Sequence, residues 1–338
     1  MTRYYLLQTD DRYLRHMLVT VLSVRKHAPR DEESVFYVID DRISKENKTF
    51  AEDFARRYSC RIRFFDGAAL SAYLAEQNVP RWRGGYTTYL KLLALSRIEG
   101  CERVLYLDSD VIVKNDISTV FSALDESDAP LAMAEDMTVS FLPDYKRYVL
   151  GAGGEERVYY NAGVILFDLP RWRAARCEER VLSFVRENTK PLMFCEQDIL
   201  NILFGMQTHT LSNFYNFCTP LLFYRPRMMG KLFGWDGAHE REYAALSEHY
   251  GVGHCFGVLG SRPWHKRSRH PLASDYRALY GEIFGEDFEG LPLSLSWRDH
   301  AQIALYYLCR PLYAPLHRRA MEKHYGSFIQ NARSREKQ

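Results

Sequence analysis

An α/β fold with a mostly parallel sheet covered on both faces is predicted by three features of the sequence. Short apolar runs alternate with amphipathic segments from the first residues onward, one apolar run is cut off abruptly by an aspartate, and the composition supports one large core. Over 338 residues, 46% are aliphatic or aromatic and 26% are charged, the profile of a globular chain rather than a disordered one. The elements follow in order. Residues 4–8 read as a strand, 14–26 as a helix, 34–39 as a strand, 44–58 as a helix and 61–65 as a strand. Residues 104–107 form a further buried strand that stops at Asp108, and because ligands of open α/β sheets gather at the carboxyl ends of strands, chemistry is expected there. Beyond it, 162–167 read as a strand, and 178–187 and 197–204 as helices.

No repeat or low-complexity linker divides the chain, so one catalytic unit is expected over residues 1–290. The character then changes. Across residues 291–338, Ile303, Leu305, Tyr306, Leu308, Leu312, Tyr313 and Leu316 are interleaved with Arg310, His317, Arg318 and Arg319, and basic residues continue to Arg333, Arg335 and Lys337. This extension reads either as a basic amphipathic segment on an anionic membrane surface or as a helix docked on the core with its basic face solvated. Pro311 and Pro315 are expected to interrupt any continuous helix.

The formal charge of +2 discriminates little. Basic residues cluster, but no recognised nucleic-acid module accompanies them, so nucleic acid is not an expected partner. The seven cysteines are scattered, odd in number and never spaced as CxxC, which argues against a disulfide framework and a structural zinc site. The N-terminal apolar run soon meets Asp10 and Asp11, and no apolar stretch approaches the ~20 residues of a membrane span. A reducing, cytoplasmic setting is the expectation.

The most informative stretch surrounds Asp108-Ser109-Asp110. Two carboxylates at i and i+2, just beyond a buried strand, can converge on one hard cation because the chain has left the pleated geometry that would splay them. Such a cation would serve a diphosphate leaving group. The plainer alternative is a turn with a helix or turn cap. A sharper rival is the haloacid-dehalogenase type of phosphatase, whose first Asp is a nucleophile, although that strand usually opens the chain and here about 100 residues precede it. Downstream, Asn161 is followed by two very small residues, Ala162 and Gly163, at the head of a strand, leaving room for a bulky ligand. Glu196, Gln197 and Asp198 form an acid-amide-acid cluster at a helix start, a pattern that also suits plain capping. His254 precedes Gly257, Arg262 and Trp264, and one imidazole with two carboxylates makes a plausible set for manganese.

These four motifs, in this order over some 250 residues, resemble glycosyltransferase family 8, the retaining enzymes that include bacterial lipopolysaccharide galactosyl- and glucosyltransferases and glycogenin. The resemblance implies a single Rossmann-like nucleotide-sugar-binding domain of the glycosyltransferase A type, with a mixed sheet and a C-terminal helical basic extension. It implies Mn2+ (or Mg2+) held by Asp108, Asp110 and His254, and UDP-glucose or UDP-galactose as donor. Thr9, Asp10 and Tyr13 would frame the uracil, with Tyr13 suited to stacking. Lys91, where the family commonly has Arg, would lie near the donor, with Ser109, Asp136, Asn161, Ala162 and Glu196 around it. Gln197 would sit on the reacting face of the sugar. Gly257 and Arg262 would grip the diphosphate, although the spacer over residues 258–261 is longer than the family's. The acceptor would be an oligosaccharide or glycolipid, with Phe223, Tyr224, Arg225, Arg227, Trp235 and Trp264 as candidates to line its cleft. A nucleotide-sugar-binding protein without turnover is the alternative from another class.

Overall fold

The computed structural model describes residues 1–336 apart from 140, 219, 236, 286 and 287; Lys337, in the basic tail, lies outside them. Among the described residues the strands are β1 (Thr2–Asp10), β2 (Glu33–Asp41), β3 (Arg61–Asp66), β4 (Arg103–Leu107), β5 (Val111–Val113), β6 (Leu131–Glu135), β7 (Tyr160–Asp168), β8 (Thr208–Leu211), β9 (Phe217–Cys218) and β10 (Val252–His254). Seven of them form one sheet in the order β3-β2-β1-β4-β7-β6-β8, and β5-β10-β9 form a second, small sheet. The helices are α1 (Leu14–His27), α2 (Lys45–Arg57), α3 (Gly67–Glu76), α4 (Thr87–Ala94), α5 (Pro143–Leu150), α6 (Leu169–Ala174), α7 (Cys177–Glu187), α8 (Glu196–Phe204), α9 (Pro220–Phe223), α10 (Pro226–Phe233), α11 (Gly237–Glu248), α12 (Ala273–Phe284), α13 (Trp297–Leu308) and α14 (Arg310–Glu336).

The sheet is mixed. β1 pairs in parallel with β2 and β4, but β7 runs antiparallel to both β4 and β6. All nine residues of β7 are buried. A strand covered on both faces reads as one continuous apolar run, and such a run carries no sign of its direction. The inversion positions the site. It brings the start of β7 to the same edge as the ends of β4 and β6, with Leu107 opposite Val164 and Glu135 opposite Tyr160.

Large apolar clusters fill both faces of the main sheet. A third, smaller cluster joins Val139, Tyr145, Tyr148, Val149 and Tyr159 to Ile329 and Ala332 of α14. The tail is therefore a docked helix, packed against α5, α10 and α13. The expected interruption occurs once, at Cys309 between α13 and α14, just before Pro311, and not at Pro315. Pro311 lies in the first turn of α14, where a backbone N–H would have no intrahelical acceptor, and Pro315 forfeits a single bond that the tertiary packing outweighs. Among the described residues no helix is long and apolar enough to cross a membrane. All seven cysteines are free.

Candidate functional site

The site assembles at the strand edge just described. Past Leu107 the Asp108 backbone N–H donates to the Gly163 carbonyl (2.8 Å), so the first aspartate is registered against β7. The Ser109 hydroxyl donates to the Gln8 carbonyl (2.6 Å) and ties the same turn to β1. Antiparallel pairing of β5 with β10 then sets His254 opposite Val111, with the Cys255 N–H on the Asp110 carbonyl (2.9 Å). As a result His254 Nε2 lies 3.3 Å from Asp110 Oδ1 and 3.6 Å from Asp108 Oδ2. One ligand atom from each of the three residues falls within 4.8 Å of the others.

These residues fit a divalent cation. Two carboxylates and an imidazole are a suitable donor set, and the backbone makes room for it: a Cβ on Gly163 would lie 2.1 Å from His254 Cε1 and 3.0 Å from Asp108 Oδ2. The small residue read from the sequence as space for a ligand is thus space for a ligating side chain. Burial pushes the Asp110 carboxyl up, but the hydrogen bond and charge of His254 and the Arg262 guanidinium outweigh it and hold it down at about 2.

A buried amide network orients the histidine. Asp136 Oδ1 accepts from Thr138 N, Thr138 Oγ1 and Val139 N, and its Oδ2 accepts from Asn161 Nδ2 (3.0 Å) and Gln197 Nε2 (3.1 Å). A carboxylate only accepts, so each amide must present its NH2 to Asp136. Asn161 Oδ1 then accepts from Gly163 N (2.9 Å) and from Asn216 Nδ2 (2.8 Å). Asn216 Oδ1 is left facing His254 Nδ1 (2.9 Å), which must donate, so Nε2 is the ring nitrogen that faces the two aspartates, and the proton it gives Asp110 is the one a bound cation would displace. On the other arm Gln197 Oε1 accepts from Ala162 N (3.0 Å). Asp136 is 2% exposed, so it acts as the hub of this network, at its interior.

Lys91, on α4, is buried. Its Nζ donates to the Ala162 carbonyl (3.2 Å) and lies 3.3 Å from Glu196, 3.8 Å from Asp108 and 4.2 Å from the Tyr106 ring centre. Glu196 also accepts from Thr88 Oγ1. Gln197 is 8% exposed. Cys195, before α8, takes φ 40° and ψ −102°, a strained backbone for a side chain with a Cβ, immediately before the two residues of interest. Asp198 does not cap the helix but accepts from Phe194 N (2.9 Å), ahead of the N-cap residue, and from Tyr145 (2.9 Å) and Tyr159 (2.6 Å).

The remaining residues lie along the same edge. Thr9 is buried, Asp10 accepts from Tyr13 N (2.8 Å), and Tyr13, 40% exposed, leaves its ring beside His16 (4.7 Å between centres) and Trp264 (5.9 Å). The long spacer closes on itself: Val258 and Ser261 exchange two backbone hydrogen bonds of 2.9 Å around Leu259 (φ 46°) and Gly260 (φ 74°). That tight turn returns Arg262 to the Cys255 carbonyl and to Asp110 Oδ2, both at 2.6 Å. Gly257 and Arg262 line one cavity of about 400 Å³ with Tyr224, Tyr325 and others. A second cavity, about 480 Å³, is lined by residues that include Glu196, Gln197, Thr88, Trp82 and, from α14, His324 and Tyr325. Of the suggested acceptor residues, Tyr224, Trp235 and Trp264 are core side chains, and of these three Tyr224 also lines the first cavity. Sequence reasoning missed Asn216, Thr88, Tyr145, Tyr159 and the α14 residues. Asn216 alone carried a signal, since it repeats the pattern of Asn161, an amide at the head of a buried strand.

With this geometry in hand, the likenesses to known proteins are informative. The family model described as glycosyl transferase family 8 matches residues 5–268. The chain is 28% identical to the lipopolysaccharide 1,2-glucosyltransferase of Escherichia coli (strain K12), covering 52% of this chain and 48% of that protein. It is 26% identical to the lipopolysaccharide 1,3-galactosyltransferase of Salmonella typhimurium, covering 57% of each. The chain thus spans about half the length of these curated relatives. Its structure superposes on that of an active-site mutant of LgtC with a TM-score of 0.67 at 25% identity, covering 83% of this chain and 96% of that one.

Proposed function

Because the chain belongs to glycosyl transferase family 8, we propose that it is a retaining hexosyltransferase that moves glucose or galactose from a UDP-sugar to a cell-surface glycan or glycolipid acceptor. The observation that carries this reading is the Asp108, Asp110 and His254 cluster on the same strand edge as Gln197, the two joined by one hydrogen-bond network through Asp136. A divalent cation, manganese or magnesium, held by those three residues would neutralise the charge that develops on the departing diphosphate. Arg262 and the Gly257 backbone stand beside them to receive its phosphate oxygens.

Gln197 is a poor nucleophile, because an amide oxygen is weak and here it already accepts a backbone N–H. Its part is to stabilise the oxocarbenium-like charge while the acceptor hydroxyl attacks from the face that UDP leaves, its proton passing to a phosphate oxygen. Lys91 holds Glu196 and Asp108 in register across that face. Thr9, Asp10 and Tyr13 frame the base, and Tyr13 keeps an exposed ring for it.

The division into a catalytic domain, residues 1–290, and a basic extension, residues 291–338, belongs to the same proposal, as does a cytoplasmic, peripheral location. Support for membrane contact comes from a cleft lined by Arg225, Arg227, Lys231 and Arg310 near the exposed Leu308, Leu312 and Leu316. Flotation with anionic but not neutral vesicles is the expected result.

The enzymatic reading is tested by UDP release from UDP-glucose, UDP-galactose and their N-acetyl forms, with manganese and with chelator. Selective, manganese-dependent release supports it. Donor binding without release points to the non-catalytic binder, and phosphate release without dependence on a UDP-sugar points to the phosphatase.

A further inference from the structure

The family match ends at residue 268, yet α14, which begins at Arg310, forms part of the wall of the cavity that holds Glu196 and Gln197. Tyr325 is the residue that gets there. Its ring packs edge-on against Tyr145 (5.3 Å between centres) and near Phe194 (6.4 Å), both on the network that carries Asp198. Its hydroxyl has no hydrogen-bond partner among the described residues, although burial first, then the charges of Asp136 and Asp198, push its pKa up. Tyr325 also lines the neighbouring cavity with Gly257 and Arg262, so it stands where the two spaces meet.

The rest of the 480 Å³ cavity suits a sugar. Trp82 offers an indole backed by the Arg83 guanidinium (4.2 Å to the ring centre), and the rim carries His324 and Thr88. Flat apolar rings beside a few polar groups are what a hexose needs: a face to stack on and partners for its hydroxyls. Tyr325 is half-buried on the cavity wall, and its hydroxyl, taken up by no protein partner among the described residues, is available to bond an incoming hydroxyl.

We propose that α14 is part of the acceptor site, and that Tyr325, with His324 beside it, holds the terminal hexose of the acceptor across the cavity from Gln197. This rests on the transferase reading above. The helix then has two duties, closing the third apolar cluster through Ile329 and Ala332 and presenting Tyr325 to the acceptor.

The test uses the full chain with manganese and measures UDP release into water and in the presence of the methyl glycosides of glucose, galactose and N-acetylglucosamine. At least one glycoside is expected to accelerate release by the wild-type protein. Tyr325→Phe keeps the packed ring and removes only the hydroxyl. It should raise that glycoside's half-saturating concentration about three- to tenfold, the loss of one hydrogen bond, and by a larger factor than any change in unstimulated release or in the KM for the donor. Release that no glycoside accelerates, acceleration that is equal in the variant, or unstimulated release that falls in step would each overturn the proposal. Release from no donor at all would instead overturn the enzymatic reading, and this proposal with it.

Discussion

His254 Nδ1 lies 2.9 Å from Asn216 Oδ1, and this contact settles which ring nitrogen faces the two aspartates. The Asn216 side chain is itself held the right way round by Asn161, and Asn161 by Asp136. A carboxylate buried in the interior thereby dictates the tautomer of a histidine at the end of a chain of three hydrogen bonds.

Asn216→Ala should leave the three ligands in place but free the imidazole to rotate. Partners behind a metal-ligating histidine typically contribute about 10- to 100-fold in metal affinity. A manganese titration of UDP release should show half-activation shifted upward by about that factor, with the maximal rate recovered at high metal. Half-activation at the wild-type concentration would show that Asn216 does not orient the ligand.

Gly163→Ala has no such rescue. The added methyl would have to displace His254, whose Cε1 lies 2.1 Å from its ideal position. Manganese should raise the wild-type Tm by mass action and fail to raise that of the variant. Asp110→Asn, which removes a charged ligand and the partner of Arg262, should likewise nearly abolish turnover.

Asp136→Asn tests the hub. An amide cannot accept at all the positions that the carboxylate serves, so either the two turn N–H groups or the Asn161 and Gln197 amides lose a partner. Turnover should fall about 100-fold with metal affinity also reduced, and urea denaturation should show a loss of about 1–3 kcal/mol, the cost of a buried unsatisfied polar group.

Acid should weaken the fold through two buried histidines. Burial lowers both His16 and His270 from 6.5 to about 4. As pH falls, the unfolded chain takes up a proton on each near 6.5 while the folded protein refuses it until about 4, so stability present above 6.5 is lost across that window. Each histidine contributes a slope of at most about 1.4 kcal/mol per pH unit. His16→Gln, which can keep a hydrogen bond to Tyr276, should flatten the fall in Tm between pH 6.5 and 4.

The sequence by itself determined the elements that write their pattern locally. The strand and helix alternation of the first half is legible because apolar spacing and burial share one period, and the expected segments at residues 4–65 fall within β1, α1, β2, α2 and β3 or one residue beyond them. Asp108, Asp110, Asn161, Gln197 and His254 were legible because each marks a place where a buried run stops or starts.

Only the tertiary structure decided the rest, because it depends on strand direction and on partners far apart in the chain. The reversal of β7 is invisible in an apolar run that reads alike both ways, yet it is what brings Asn161 and Gly163 to Asp108 and Asp136. Asn216 gains its role from a two-residue strand, β9, alongside β10, and Tyr325 gains its place from a helix whose prolines argued against it. A local pattern tells each residue whether it is buried, and only the packed sheet tells it whom it will meet.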